Sequence, residues 1–109
     1  YGCKCDIDIV KGYPPVVNDN NMTKFIRKTA LDILGIDNVT VLEPKMYAED
    51  FAYYAEKVPS AFWMIGVKPD NLNEMPPLHN SKLSPDENVI KNGIAIMVKA
   101  AVDFLNSGK

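Results

Sequence analysis

The stretch VTVLEPKMYAEDFAYYAEKVPSAFWMIGV, residues 39–67, decides how this chain is read. Val39 to Leu42 is short and β-branched, and Pro44 ends it. Phe51, Tyr54, Ala55 and Val58 then recur at helical spacing, with Pro59-Ser60 closing the helix. Glu49 and Asp50 fall in its first turn, where the helix dipole favours negative charge. Ala61 to Val67 is almost continuously apolar, a pattern that suits a strand buried on both faces of a parallel sheet. Strand, helix and strand joined by short links read as a βαβ unit, which places the chain in the α/β class.

Upstream, Cys3 to Val10 alternates strictly. Cys3, Cys5, Ile7 and Ile9 share one face; Lys4, Asp6 and Asp8 share the other. That is the pattern of an antiparallel strand covered on one side. One strand needs partners, expected here before Tyr1. The chain opens inside this pattern without an initiator Met, so it reads as a piece of a longer polypeptide. Gly12-Tyr13-Pro14-Pro15 breaks the alternation. A domain boundary is expected at about Pro14 to Asp19, dividing residues 1–17 from 18–109. Asn18-Asp19-Asn20 offers N-cap candidates. Met22, Phe25, Ile26, Ala30, Ile33 and Leu34 then make an amphipathic helix that Gly35 stops.

Downstream, residues 69–85 form a long loop carrying Pro69, Pro76, Pro77 and Pro85; loops of this length in compact domains are often functional. A helix from about Asp86 to Leu105 closes the chain. Ile90, Ile94, Met97, Ala101 and Phe104 form its main stripe, widened by Val89, Ile96, Val98 and Leu105. A helix apolar over so much of its circumference expects cover from more protein than these residues provide.

At 109 residues and 12.1 kDa there is room for one ordinary domain. The charged share of 24% and hydrophobic share of 47% are those of a folded globular chain. A net charge of −2 and no basic block argue against nucleic acid or an anionic membrane surface as partner. No apolar run has the length to span a bilayer, and no signal peptide opens the chain. Cys3 and Cys5 are too close for an ordinary disulfide, and no second pair completes a metal site. They read as reduced strand thiols, which suits a reducing, cytoplasmic location.

His79 is the single histidine, within Met75-Pro76-Pro77-Leu78-His79-Asn80-Ser81. A lone loop histidine is ordinarily a surface residue. Position raises its interest: parallel strands of a βαβ unit end on one sheet edge, where open α/β sheets bind ligands. The first strand leads to Tyr47–Asp50 and the second to the loop bearing His79, so the two are expected to converge on one crevice. Glu49 and Asp50 serve either as helix caps or as a polar wall of that crevice. Trp63, Tyr53 and Tyr54 read as core or interface. No metalloprotease helix motif, nucleophile elbow, P-loop or dinucleotide fingerprint is present.

Taken in order, Gly12-Tyr13-Pro14-Pro15-Val16-Val17-Asn18-Asp19, Ala48-Glu49-Asp50-Phe51, Val58-Pro59-Ser60-Ala61-Phe62, and Pro77-Leu78-His79-Asn80 ahead of Asp86-Glu87 resemble the C-terminal portion of the aminoacylase and carboxypeptidase-like metallohydrolases. The branch resembled most acts on N-acyl amino acids: hippurate hydrolase, N-acetyl-diaminopimelate deacetylase and the indoleacetyl-amino-acid hydrolases. The resemblance runs over nearly the whole chain; each motif alone is short, and their order and spacing carry it. It implies a zinc-peptidase-like α/β catalytic domain interrupted by a smaller ferredoxin-like lid that often mediates dimerisation. Residues 1–17 would be the last lid strand, and residues 18–109 the C-terminal segment of the catalytic domain.

The resemblance further implies that His79 is a metal ligand, with two divalent ions (zinc, manganese or cobalt) per intact subunit. Glu49 would be an element of the site wall. Asn80 stands where many relatives carry a second histidine, and is read as a substrate-binding or wall residue. The other ligands and the general-base glutamate belong to the family's N-terminal half, so no catalytic residue is expected in this chain and the chain alone should be inactive. The implied activity of the intact protein is metal-dependent hydrolysis of the amide bond of N-acyl amino acids or small peptides, with homo-oligomerisation or self-association expected. Two other readings stand beside it: a free-standing α/β interaction or regulatory module, and a relative that keeps the fold without the metal.

Overall fold

The computed structural model describes residues 2–46 and 48–108; Tyr1, Tyr47 and Lys109 lie outside the described residues. Three α-helices form in chain order: α1 (Asn20–Leu34), α2 (Ala52–Ala55) and α3 (Ile90–Asn106). Short 3-10 turns at Ile36–Asn38 and Glu87–Val89 follow α1 and precede α3.

The sequence places α1 well. Asp19 is its N-cap, and the Asp19 carboxylate accepts the backbone N–H groups of Asn21 and Met22, both at 2.9 Å. These would otherwise be orphaned donors of the first turn. Gly35 ends the helix at φ 79, a left-handed conformation that glycine adopts without a Cβ penalty, and its N–H closes on the Leu31 carbonyl. Thr29 is buried on the inner face, and its hydroxyl is satisfied by the Phe25 carbonyl one turn back.

α1 packs on α3. Phe25 meets the edge of Phe104 at 6.2 Å between ring centroids. Lys99 reaches Asp103 at 2.7 Å on its own helix and Asp32 of α1 at 3.9 Å. The Asp103 hydrogen bond, then the charges of Asp103 and Asp32, hold the Lys99 ammonium above the ordinary lysine range.

The buried side of α3 corrects the expected one. Ile96 is fully buried, with Gly93, Lys99, Ala100 and Asp103 beside it at intermediate exposure. Of the expected stripe, Ile90, Ile94, Met97 and Ala101 face outward, while Phe104 keeps its edge contact with Phe25. Periodicity locates an apolar face, but on a helix apolar nearly all round it does not choose which side meets the neighbour.

No strand forms among the described residues, so neither the βαβ unit nor the expected lid strand is present as a ladder. Residues 3–10 are exposed throughout, Ile9 at 81%. The physical reason is that a strand exists through hydrogen bonds to a second strand. Alternation in residues 3–10 supplies one face and no partner. The 61–67 segment also departs from expectation. Trp63, Ile65 and Val67 are half-buried while Met64 and Gly66 are exposed, so one face is covered rather than both.

In place of a ladder, that segment is pinned at its ends. The Asp19 N–H donates to the Ser60 carbonyl at 2.8 Å, and the Asp86 N–H to the Val67 carbonyl at 2.8 Å. The Asn18 amide grips Phe62 on both sides: its Nδ2 donates to the Phe62 carbonyl at 2.9 Å, and its Oδ1 accepts the Phe62 N–H at 2.7 Å. One side chain thus imitates a strand partner across 44 residues of sequence. Asn18→Ala should lower stability by about 1 kcal/mol, since exposed groups partly recover water hydrogen bonds. A urea melt with an unmoved midpoint would contradict that role.

α2 is a single turn where a longer helix was expected. Phe51 stacks against Phe62 at 5.3 Å and Ala52 is fully buried, but Tyr54 and Val58 are exposed. Turns at Glu56–Val58 follow directly, and Pro59 bars the α-conformation for the residue before it.

The chain as a whole does not close a core. Its accessible surface is 9697 Å², where a compact monomer of 12.1 kDa exposes about 6,000 Å². Its radius of gyration is 18.7 Å against about 13 Å for a compact domain of this length. Among the described residues only Ala52, Ile96 and Thr29 are fully buried. The helices form because α1 carries its own caps and packs on α3; the remaining apolar surface is left open.

Candidate functional site

The loop from Pro69 to Pro85 is built from successive turns. Leu72 N–H closes on the Pro69 carbonyl at 3.1 Å, and the Lys68 ammonium caps the Leu72 carbonyl at 2.7 Å. Pro76-Pro77 stiffens the next stretch. Then Asn80 N–H reaches the Pro77 carbonyl at 3.3 Å, and Leu83 N–H reaches the Asn80 carbonyl at 3.0 Å. Two turns meet at Asn80.

His79 sits at the third position of the first turn with φ 66, and it alone among described non-glycine residues has positive φ. This is the left-handed position of a type II turn, which ordinarily takes glycine. A histidine there costs about 1–2 kcal/mol. The closing bond at 3.3 Å is at the weak end of hydrogen-bond geometry and does not offset that alone. The second turn adds the Leu83 bond and a further one, the Lys82 N–H to Asn80 Oδ1 at 2.9 Å. The imidazole itself is exposed and hydrogen-bonds to no described residue. Strain spent on presenting an unengaged imidazole to solvent is the most specific feature of this chain.

Glu49 occupies the start of α2. Its carboxylate accepts the Phe51 N–H at 3.3 Å and its carbonyl accepts the Ala52 N–H at 3.2 Å, so it caps that turn. It is half-buried. No hydrogen bond joins Glu49 to His79 or Asn80. The structure therefore brings His79 and Asn80 together in one double turn and leaves Glu49 as a separate cap. Tyr47, at the expected sheet edge, lies outside the described residues.

Among the described residues, no three His, Cys, Asp or Glu side chains stand close enough to hold a metal ion. A catalytic zinc takes three protein ligands. His79 supplies one exposed imidazole, which suits one ligand position and does not complete a site. An open depression of about 620 Å³ between the 15–20 linker and the end of α2 is lined by Pro15, Asn18, Asp19, Glu56 and Lys57, and contains neither His79 nor Glu49. The Asn18 grip on Phe62 was not visible as such in the sequence, where Asn18-Asp19 signalled only a cap. The left-handed His79 had one signal: Pro-Pro two residues before it, which favours a turn.

Comparison with known proteins places this chain. The model of "Peptidase family M20/M25/M40" matches residues 3–103, and the chain belongs to that family. It is 30% identical over 110 residues to the IAA-amino acid hydrolase ILR1-like 6 of Arabidopsis thaliana, covering 97% of this chain and 24% of that protein. It is 31% identical over 107 residues to thermostable carboxypeptidase 1 of Saccharolobus solfataricus, covering 97% of this chain and 26% of that protein. A putative glutamate--cysteine ligase 2-3 of Rhodococcus jostii is 32% identical over 98 residues, which make up 12% of it. No solved structure matches the chain at a significant level. The chain spans about a quarter of the length of the hydrolases it matches. No helix among the described residues is long and apolar enough to cross a membrane.

Proposed function

We propose that this chain is the C-terminal part of a metal-dependent amidohydrolase or peptidase that cleaves the amide bond of N-acyl amino acids or small peptides. The observation that carries the reading is His79: an exposed imidazole held in a left-handed turn, within a family-matched segment. Two of the relatives reported above are named as an amino-acid hydrolase and a carboxypeptidase, which points to an amino-acid amide as the substrate class. The ligase name belongs to a protein of which the matched part is about an eighth, and gives this segment no ligase chemistry of its own.

In this reading His79 donates one ligand to a divalent metal, whose chemistry is to polarise a carbonyl and acidify a bound water. Zinc, manganese and cobalt all accept imidazole. This chain presents His79 and, through Glu49, caps the turn that would form the site wall. No hydrolytic step is assigned to it, because the remaining donors and a general base come from outside these residues. Residues 1–17 are assigned to a lid and residues 18–109 to the catalytic domain. In the intact protein residues 3–10, 39–42 and 61–67 are its sheet strands. Their strand-like composition supports this. Exposed Cys3 and Cys5, in no disulfide, suit a reducing compartment.

The test is hydrolysis of a panel of N-acyl amino acids and dipeptides by the full-length polypeptide, beside this chain. Turnover by the first and silence from the second are expected. Turnover by neither favours an interaction module on the same fold.

A further inference from the structure

We propose that Asn80 is a positioning residue: its side chain holds the double turn that keeps His79 in its left-handed, outward-presenting conformation. The inference rests on the reading of His79 as a metal ligand and goes beyond it. It also replaces the expectation that Asn80 touches substrate.

Three observations converge on Asn80. Its N–H closes the turn containing His79 on the Pro77 carbonyl at 3.3 Å. Its carbonyl closes the next turn by accepting the Leu83 N–H at 3.0 Å. Its Oδ1 accepts the Lys82 N–H at 2.9 Å, an Asx turn that fixes the Asn80 side chain back onto its own loop. That last bond commits one lone pair of Oδ1 to the loop itself. The first closure is long, and His79 has no Cβ-free backbone to make φ 66 easy. Removing the side chain leaves the second turn with its Leu83 closure alone, which weakens the support for the long first closure. Prolines 76 and 77 restrict the chain entering the turn. The Asx bond restricts it on leaving, so the backbone at His79 is restricted from both sides. Orientation of a ligating histidine by its surroundings commonly changes metal affinity 10–100-fold.

The experiment has two arms, each with Asn80→Ala and Asn80→Asp; the aspartate keeps the Oδ1 acceptor. In this chain, NMR couplings and chemical shifts at His79 read the ratio of left-handed to other conformers. Asn80→Ala should lower that ratio about fivefold, the weight of one hydrogen bond, and Asn80→Asp should restore it. In the full-length protein, titration with zinc should show affinity reduced roughly tenfold by Asn80→Ala and recovered by Asn80→Asp, with KM at saturating zinc unchanged. An unaltered φ at His79 in Asn80→Ala overturns the proposal. So does a raised KM with intact zinc affinity, which would make Asn80 a substrate contact. His79→Ala run in parallel separates the two readings: undiminished zinc affinity there sinks the ligand assignment, while the NMR arm still decides what holds the turn.

Discussion

His79→Gly in the full-length protein should abolish activity without weakening the fold. If His79 is a metal ligand as proposed, removing the imidazole takes that ligand away, and loss of about 4 kcal/mol of transition-state stabilisation corresponds to roughly 10³-fold in kcat/KM. Stability moves the other way or not at all. Glycine relieves the left-handed strain at φ 66, about 1–2 kcal/mol, and loses about 0.4–1 kcal/mol through a freer unfolded chain. The net is a stability change of about zero to a gain of about 1.6 kcal/mol. Bound metal counted by elemental analysis should fall together with kcat/KM, while the denaturation midpoint, compared between the two metal-free proteins so that lost metal does not enter, stays or rises. This opposition of signs marks backbone strain kept for function. A variant that unfolds, or one that retains metal and turnover, contradicts it.

The second large effect lies on the outer face of α3. Ile90, Ile94, Met97 and Val98 are each more than half exposed, and Leu105 is 78% exposed. They belong to an accessible surface of 9697 Å² where about 6,000 Å² is expected. A standard interface removes about 800 Å² from each partner, so the excess is ample for association. The 109-residue chain should therefore self-associate at about 100 µM by light scattering, well above the threshold for weak interfaces of this size. Ile94→Glu with Met97→Glu should return it towards monomer. In the full-length protein the same pair should prevent folding, because burying two unpaired carboxylates costs several kcal/mol each against a total stability of about 5–15 kcal/mol. Opposite outcomes in the two proteins identify α3 as a face that the rest of the polypeptide covers. A monodisperse monomer of the native chain, or a well-folded full-length double variant, contradicts it.

What the sequence made legible is local. Asp19 and Gly35 bound α1 as their chemistry requires, because caps are decided within a few residues. The position of α3 was legible too; its inward face was not, since Ile94 and Ile96 look alike to periodicity and only α1 distinguishes them. The strands were legible as composition and absent as ladders, because hydrogen bonds to a second strand are not a property of residues 3–10 or 61–67 alone. At the site, the loop and His79 were picked out by residue type and position. The left-handed turn and the roles of Asn18 and Asn80 were not, because each depends on where one amide side chain meets a distant or recurving backbone.

The most direct measurement is the metal content and N-acyl amino acid turnover of the full-length protein before and after chelation, with zinc, manganese or cobalt then restored. Metal bound in proportion to chain, turnover lost with its removal and turnover regained on addition are expected. Undiminished hydrolysis by metal-stripped protein, or metal-replete protein that cleaves no amide in the panel, would contradict it.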